Sequence, residues 1–127
     1  MMTESSVHDW VRVADCASLS SGPLGVRVAD VDLVLVRAGA TPRALYGRCT
    51  HRNARLAEGT VEGDVLVCAY HGWDYHCDSG RCRSDDSEAL QVFTLEDRDG
   101  GLWVDAAEVR RWRLATPLDF YDDELDP

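Results

Sequence analysis

Two short segments of this 127-residue chain concentrate residue types that bind metals: Cys49-Thr50-His51 and Cys68-Ala69-Tyr70-His71-Gly72-Trp73. The pattern is C-x-H, then 16 residues, then C-x-x-H, so each segment offers one thiolate and one imidazole. Soft sulfur paired with imidazole nitrogen is a donor set for zinc or for iron-sulfur chemistry. The two segments take two of the five cysteines and two of the four histidines. Each falls where a strand-like run gives way to a turn, so two loops can converge on one centre. No serine, histidine and aspartate grouping, no G-x-G-x-x-G and no Walker pattern accompanies them.

The order of the donors separates the candidate metals. A zinc finger usually keeps its cysteines in one arm and its histidines in the other. Here each arm is mixed, with a glycine after the second histidine. That is the order a 2Fe-2S cluster needs when two thiolates hold one iron and two imidazoles the other. On these residues the chain resembles the Rieske iron-sulfur family, the class of Rieske ferredoxins and ring-hydroxylating oxygenases. The intervening residues His51 to Gly59 and Val61 to Asp64 resemble the stretch between the family's two ligand loops, and strands led by Trp10 and Trp103 extend the similarity over residues 8 to 105.

The resemblance implies a Rieske-type 2Fe-2S cluster, with Cys49 and Cys68 on the inner iron and His51 and His71 on the outer iron near the surface. Neutral imidazoles in place of two thiolates raise the potential into a class range of about −150 to +300 mV. Proton coupling through the histidines is expected only at alkaline pH. High-potential relatives have an extra cysteine in each loop, disulfide-linked, and a serine donating to the cluster. Ala54, Tyr70 and Trp73 stand at those positions, so clamp and donor are missing and a potential low in the class is expected. Tyr75 sits where high-potential members have a tyrosine that donates to a cysteine ligand, which places the value above the floor. Asn53 and Arg55 replace the family's common glycine and proline; asparagine tolerates a left-handed backbone.

Other residues read more plainly. Cys77 and Cys82 flank the Asp78 to Gly80 turn and are expected as two reduced thiols. Cys16 is expected in the core, and His8 and His76 as surface or satisfied polar groups. Asp74 resembles an acidic bridge between oxygenase centres, a role the resemblance does not assign to it here. Arg110, Arg111 and Arg113 are expected to pair with the acidic tail.

The elements that must position the ligand loops are short. Strand-like runs occur at Trp10 to Val13, Val26 to Val28, Val31 to Arg37, Ala44 to Tyr46, Val65 to Cys68, Trp73 to Cys77, Gln91 to Glu96 and Leu102 to Val104. Turn residues separate them at Gly39 to Pro42, Glu62 to Asp64, Asp78 to Arg81 and Asp99 to Gly101, and only Ala106 to Arg113 reads as helical. The expected fold is all-β: a Rieske-type antiparallel sandwich with a small cluster-binding subdomain built from two loops. Residues 1–105 make the Rieske domain and 106–127 a short helix and acidic tail.

Charge narrows the partners. The chain has 23 acidic residues against 13 basic ones, a formal net charge of −10, and every base is arginine. Such a field disfavours nucleic acid and anionic membrane surfaces. No run reaches the roughly 18 to 20 apolar residues of a spanning helix, and no export signal is read, so a cytoplasmic protein is expected. The odd count of cysteines agrees, arguing for metal or redox use over a disulfide framework. Arg48, Arg52 and Arg55 on the first ligand loop imply a basic tip on an acidic body, with docking that depends on ionic strength.

Three functions remain open. The first is an electron carrier, a Rieske-type ferredoxin taking one electron from a flavin-dependent reductase to a terminal oxygenase or other oxidoreductase, and not itself an enzyme. The second is the Rieske subunit, or a detached N-terminal domain, of a larger oxidoreductase that is nitrite reductase-like or flavin-dependent. The third is a zinc-stabilised interaction module. Partner identity and oligomeric state are not encoded in any motif.

Overall fold

The computed structural model describes residues 8–19, 22–38, 41–49, 54–69, 73–83 and 88–116. Ten strands and one helix are present among them: β1 (Trp10–Asp15), β2 (Leu24–Val28), β3 (Val31–Ala38), β4 (Thr41–Tyr46), β5 (Thr60–Glu62), β6 (Val65–Val67), β7 (Asp74–His76), β8 (Val92–Phe93), β9 (Leu95–Arg98), β10 (Gly101–Asp105) and α1 (Ala106–Ala115). They form three antiparallel sheets, ordered β1-β10-β9, β2-β3-β4-β8 and β5-β6-β7. The expected all-β, antiparallel architecture is therefore observed, with the third, smallest sheet carrying one of the ligand loops.

Alternation of apolar residues explains the larger sheets only in part. Val31, Leu33, Val34, Leu35 and Val36 of β3 are all buried, so this central strand is covered on both faces. Its run is broken by Asp32, a charge in a buried strand that requires a partner. Leu45, Phe93, Leu102, Val104 and Val109 close the same core from the other elements. α1 joins through Trp112, whose ring lies 4.9 Å from that of Tyr46 and 5.4 Å, edge-on, from Phe93.

Several boundaries differ from the sequence expectation, each for a physical reason. The run Gln91 to Glu96 is two strands, because Thr94 is pulled out of the ladder. Its N–H donates to Glu108 Oε1 at 2.9 Å and its hydroxyl to Oε2 at 3.3 Å. The chain thus leaves β4 at Phe93 and joins β10 at Leu95, changing sheets within three residues. Thr41 and Pro42, expected in a turn, belong to β4, with Pro42 opposite Arg37. β8 pairs with Ala44 and Leu45 and does not extend to Pro42, so among the described residues no strand pairs with β4 on the side where the missing proline N–H would point. The β2–β3 hairpin turns on Ala29 (φ 52°) and Asp30 (φ 64°), with no glycine to announce it. By contrast, Asp99 and Gly100, both at positive φ, make the expected turn between β9 and β10.

Candidate metal centre

The first ligand loop leaves the end of β4. Arg48 pairs with Arg55 across an isolated antiparallel bridge, and inside that bridge the Cys49 N–H donates to the Ala54 carbonyl at 2.8 Å. One step further out, the Leu56 N–H donates to the Gly47 carbonyl at 2.8 Å. The second loop joins β6 to β7. There Val67 pairs with Asp74, and the Cys68 N–H donates to the Trp73 carbonyl at 2.8 Å. Each cysteine therefore occupies the same place on a hairpin neck, with its amide closing the loop to the residue five positions on.

Both sulfurs are out of solvent: Cys49 and Cys68 are each 1% exposed and neither is in a disulfide. The Tyr75 hydroxyl lies 3.1 Å from Cys49 Sγ, in a fully buried setting. Tyr75 sits on β7, so the return strand of the second loop reaches the cysteine of the first. This contact matches the role that the resemblance implied for Tyr75. His51 and His71 lie outside the described residues, as do Arg52, Asn53 and Tyr70.

The remaining sequence candidates fall elsewhere. Cys77 and Cys82 are buried and unbridged, and burial, with the Asp64 and Asp78 carboxylates nearby, pushes the Cys77 thiol up to about 11. Cys16 is not a core residue. It is half-buried at the sheet margin, where its thiol donates to Asp97 Oδ1 at 2.9 Å, and that bond raises its pKa. His8 is a satisfied polar group, its Nδ1 2.7 Å from Asp105 Oδ2. Asp74 is held by Arg83 at 3.3 Å. Arg110 reaches Asp9, ahead of β1, at 3.1 Å, and the acidic tail with which it was expected to pair lies outside the described residues.

Arg48 also departs from expectation. It is not part of an exposed basic tip, because its side chain is 6% exposed and its Nη2 lies 2.6 Å from Asp32 Oδ2. The signal was available in the sequence, in the lone charge at Asp32 inside the most apolar run, but the pairing between positions 32 and 48 was not. Arg55 remains at the surface.

A family model described as the Rieske [2Fe-2S] domain matches residues 9–94. The chain belongs to this family. Among curated relatives, the Rieske chain is 35% identical over 112 residues to methylxanthine N1-demethylase NdmA of Pseudomonas putida, an alignment covering 76% of this chain and 32% of NdmA. It is 32% identical over 98 residues to ferredoxin CarAc of Metapseudomonas resinovorans, covering 75% of this chain and 92% of CarAc. A solved complex of reduced oxygenase and oxidized ferredoxin in carbazole 1,9a-dioxygenase contains a chain that superposes with a TM-score of 0.69 at 31% identity, covering 76% of this Rieske chain and 93% of that one. The chain thus spans about a third of NdmA and nearly all of CarAc.

The family's cofactor is a Rieske-type 2Fe-2S cluster, and the described residues fit it. Two buried, unbridged thiols with amides fixed at loop necks are suitable soft donors for iron. Family membership also removes the zinc module from the readings left open by the ligand pattern. When bound, such a cluster accepts and releases one electron. The protein's own part is to hold the sulfurs away from water and to place the Tyr75 hydroxyl beside Cys49 Sγ. Among the described residues no helix is long and apolar enough to cross a membrane.

Proposed function

We propose that this Rieske domain works as a one-electron carrier, a ferredoxin that takes an electron from a flavin-dependent reductase and passes it to a terminal oxygenase. In this reading Cys49 and Cys68 hold the inner iron, and His51 and His71 the outer one at the surface where partners approach. The observation that carries it is the match to ferredoxin CarAc over 92% of that protein's length, which makes a cluster domain of this extent sufficient for a carrier. Residues 1–105 form the cluster domain, and 106–127 an appended helix and acidic tail. The protein works in the cytoplasm and docks its partners without nucleic acid or membrane.

A second reading is supported by a separate observation. The 35% identity to NdmA covers only 32% of NdmA, which is the relation expected of a Rieske domain within a larger oxygenase. Anaerobic purification separates the two. Visible absorption and a rhombic electron-paramagnetic signal in the reduced state are expected in both cases. A carrier is isolated alone and is reduced by an added flavin reductase at a rate that falls with salt. Stoichiometric co-purification with a mononuclear-iron subunit instead gives the oxygenase reading, and a colourless chain overturns both.

A further inference from the structure

The first loop neck is tied to the main sheet by a charge pair that the family resemblance does not account for. Arg48, one residue before Cys49, sends Nε to Asp32 Oδ2 at 2.8 Å and Nη2 to the same oxygen at 2.6 Å. The backbone repeats the tie, since the Gly47 N–H donates to the Asp32 carbonyl at 2.8 Å. Arg48 is 6% exposed along its side chain and Asp32 20%. On the other carboxylate oxygen, Arg27 Nη1 lies 3.3 Å away, but that side chain is 47% exposed and so reaches counterions. Arg55, across the neck, is also exposed.

A buried guanidinium beside a redox centre favours the reduced state, which holds one more negative charge, and a carboxylate paired with it offsets that preference. We propose that Arg48 and Asp32 act as opposed positioning residues that set the reduction potential of the centre at Cys49, Arg48 raising it and Asp32 lowering it. The inference rests on the reading that Cys49 is a cluster ligand. Arg48 directly precedes Cys49 in the chain, and Asp32 is its ion-pair partner. Both act through their fixed charges and through the neck they brace, and because Arg48 is shielded from solvent its effect is screened little by salt.

The test is a potentiometric titration of the anaerobically purified full chain, wild type against R48Q, D32N, the double variant and R48K. A unit charge at roughly 10 Å and an effective dielectric near 20 alters a one-electron equilibrium by about tenfold, which corresponds to 59 mV. R48Q is expected to lower the reduction constant by about that factor, and D32N to raise it several-fold. R48K keeps the charge while losing the planar fork, and is expected to stay within about twofold of wild type. The shift in R48Q persists at about 0.5 M salt. D32N removes the carboxylate charge from beside a buried arginine and is the variant at risk of not folding. In that event the double variant decides, since with Asp32 neutralised it must lie above R48Q alone.

A purely structural tie predicts altered thermal stability with unmoved midpoints. The proposal is overturned if R48Q and D32N shift the same way, if R48K falls with R48Q, or if the double variant does not exceed R48Q. A wild-type chain without the Rieske spectrum defeats the cluster reading itself, whereas a normal spectrum with coincident midpoints defeats only the role given to this pair.

Discussion

At the first ligand loop the Cys49 amide closes onto Ala54 inside an Arg48–Arg55 bridge; at the second the Cys68 amide closes onto Trp73 inside a Val67–Asp74 pair. The backbone plan is shared, while the bracing differs. The second loop is the end of a true hairpin, with Leu66 and Tyr75 paired and fully buried below it. The first loop returns not into a strand but into a 3-10 turn at Leu56–Glu58. Its backbone ladder stops at the Gly47–Leu56 bond, and side chains add the further bracing: the buried Arg48–Asp32 pair and the Tyr75 hydroxyl at Cys49. A ladder holds one cysteine, then, and electrostatics the other, so the first loop is the more sensitive to charge and the second to backbone space.

Replacing either Cys49 or Cys68 with serine tests the shared part of the plan and has the largest expected effect. Both variants should lose the visible bands and the reduced-state paramagnetic signal, since neither half of the ligand set suffices alone. A variant that kept a normal spectrum would break the equivalence of the two loops. The next effect separates them. A Cβ at Gly59 would lie 2.0 Å from the Val67 carbonyl oxygen, at the base of the second loop, whereas one at Gly47 would meet Asp32 and Leu33 backbone at 3.0 Å. Gly59→Ala is expected to cost about 3 kcal/mol and Gly47→Ala about 1 kcal/mol in denaturant unfolding. Equal costs would mean that the backbone is no tighter at the second loop than at the first.

The contrast between the loops was only half legible in the residues. Cys49 and Cys68 stand out because donor types and spacing are written locally, and so are the Gly63-Asp64 and Asp99-Gly100 turns that set the β5–β6 and β9–β10 hairpins. Tyr75 was legible through family resemblance. The Arg48–Asp32 pair was not, because it joins two residues whose separation in sequence says nothing of their separation in space, and a second arginine, Arg27, is the nearer candidate along the chain. Thr94 was missed for the same reason: its strand is interrupted by Glu108, from a helix that follows 12 residues later. The turn at Ala29-Asp30 has no glycine and is imposed by the strands on either side.

Tyr75→Phe sharpens the electrostatic side of the comparison. With Cys49 on the iron as a thiolate the sulfur can only accept, so the Tyr75 hydroxyl would donate to it and the bond would be stronger in the reduced state. Its loss should lower the potential by roughly 60 mV, equivalent to about 1.4 kcal/mol, near the top of the range for an ordinary hydrogen bond. The midpoint is read by the same titration, with unfolding as a check that the ring still fills its buried site. An unchanged midpoint would mean that the 3.1 Å contact is packing alone.

The smallest expected effect lies away from both loops and serves as their control. Asp105 ends β10 and caps α1: its Oδ1 accepts from the Asp9 amide at 2.8 Å and the Ala107 amide at 3.0 Å, and its Oδ2 from His8 Nδ1 at 2.7 Å. Burial pushes this carboxyl up, but the His8 and backbone donors together outweigh burial and hold it below the ordinary value of 3.8. The sign follows from linkage: a group with a depressed folded pKa contributes stability that is complete above its unfolded value and is lost as pH falls through the folded one. Asp105→Ala should therefore cost about 1 kcal/mol at neutral pH and flatten the acid limb of the stability profile below about pH 4. The reduction potential should not move, because the cap touches neither neck. A shift there would show that α1 is coupled to the ligand loops, and the division between a braced loop and a laddered one would have to include the helix.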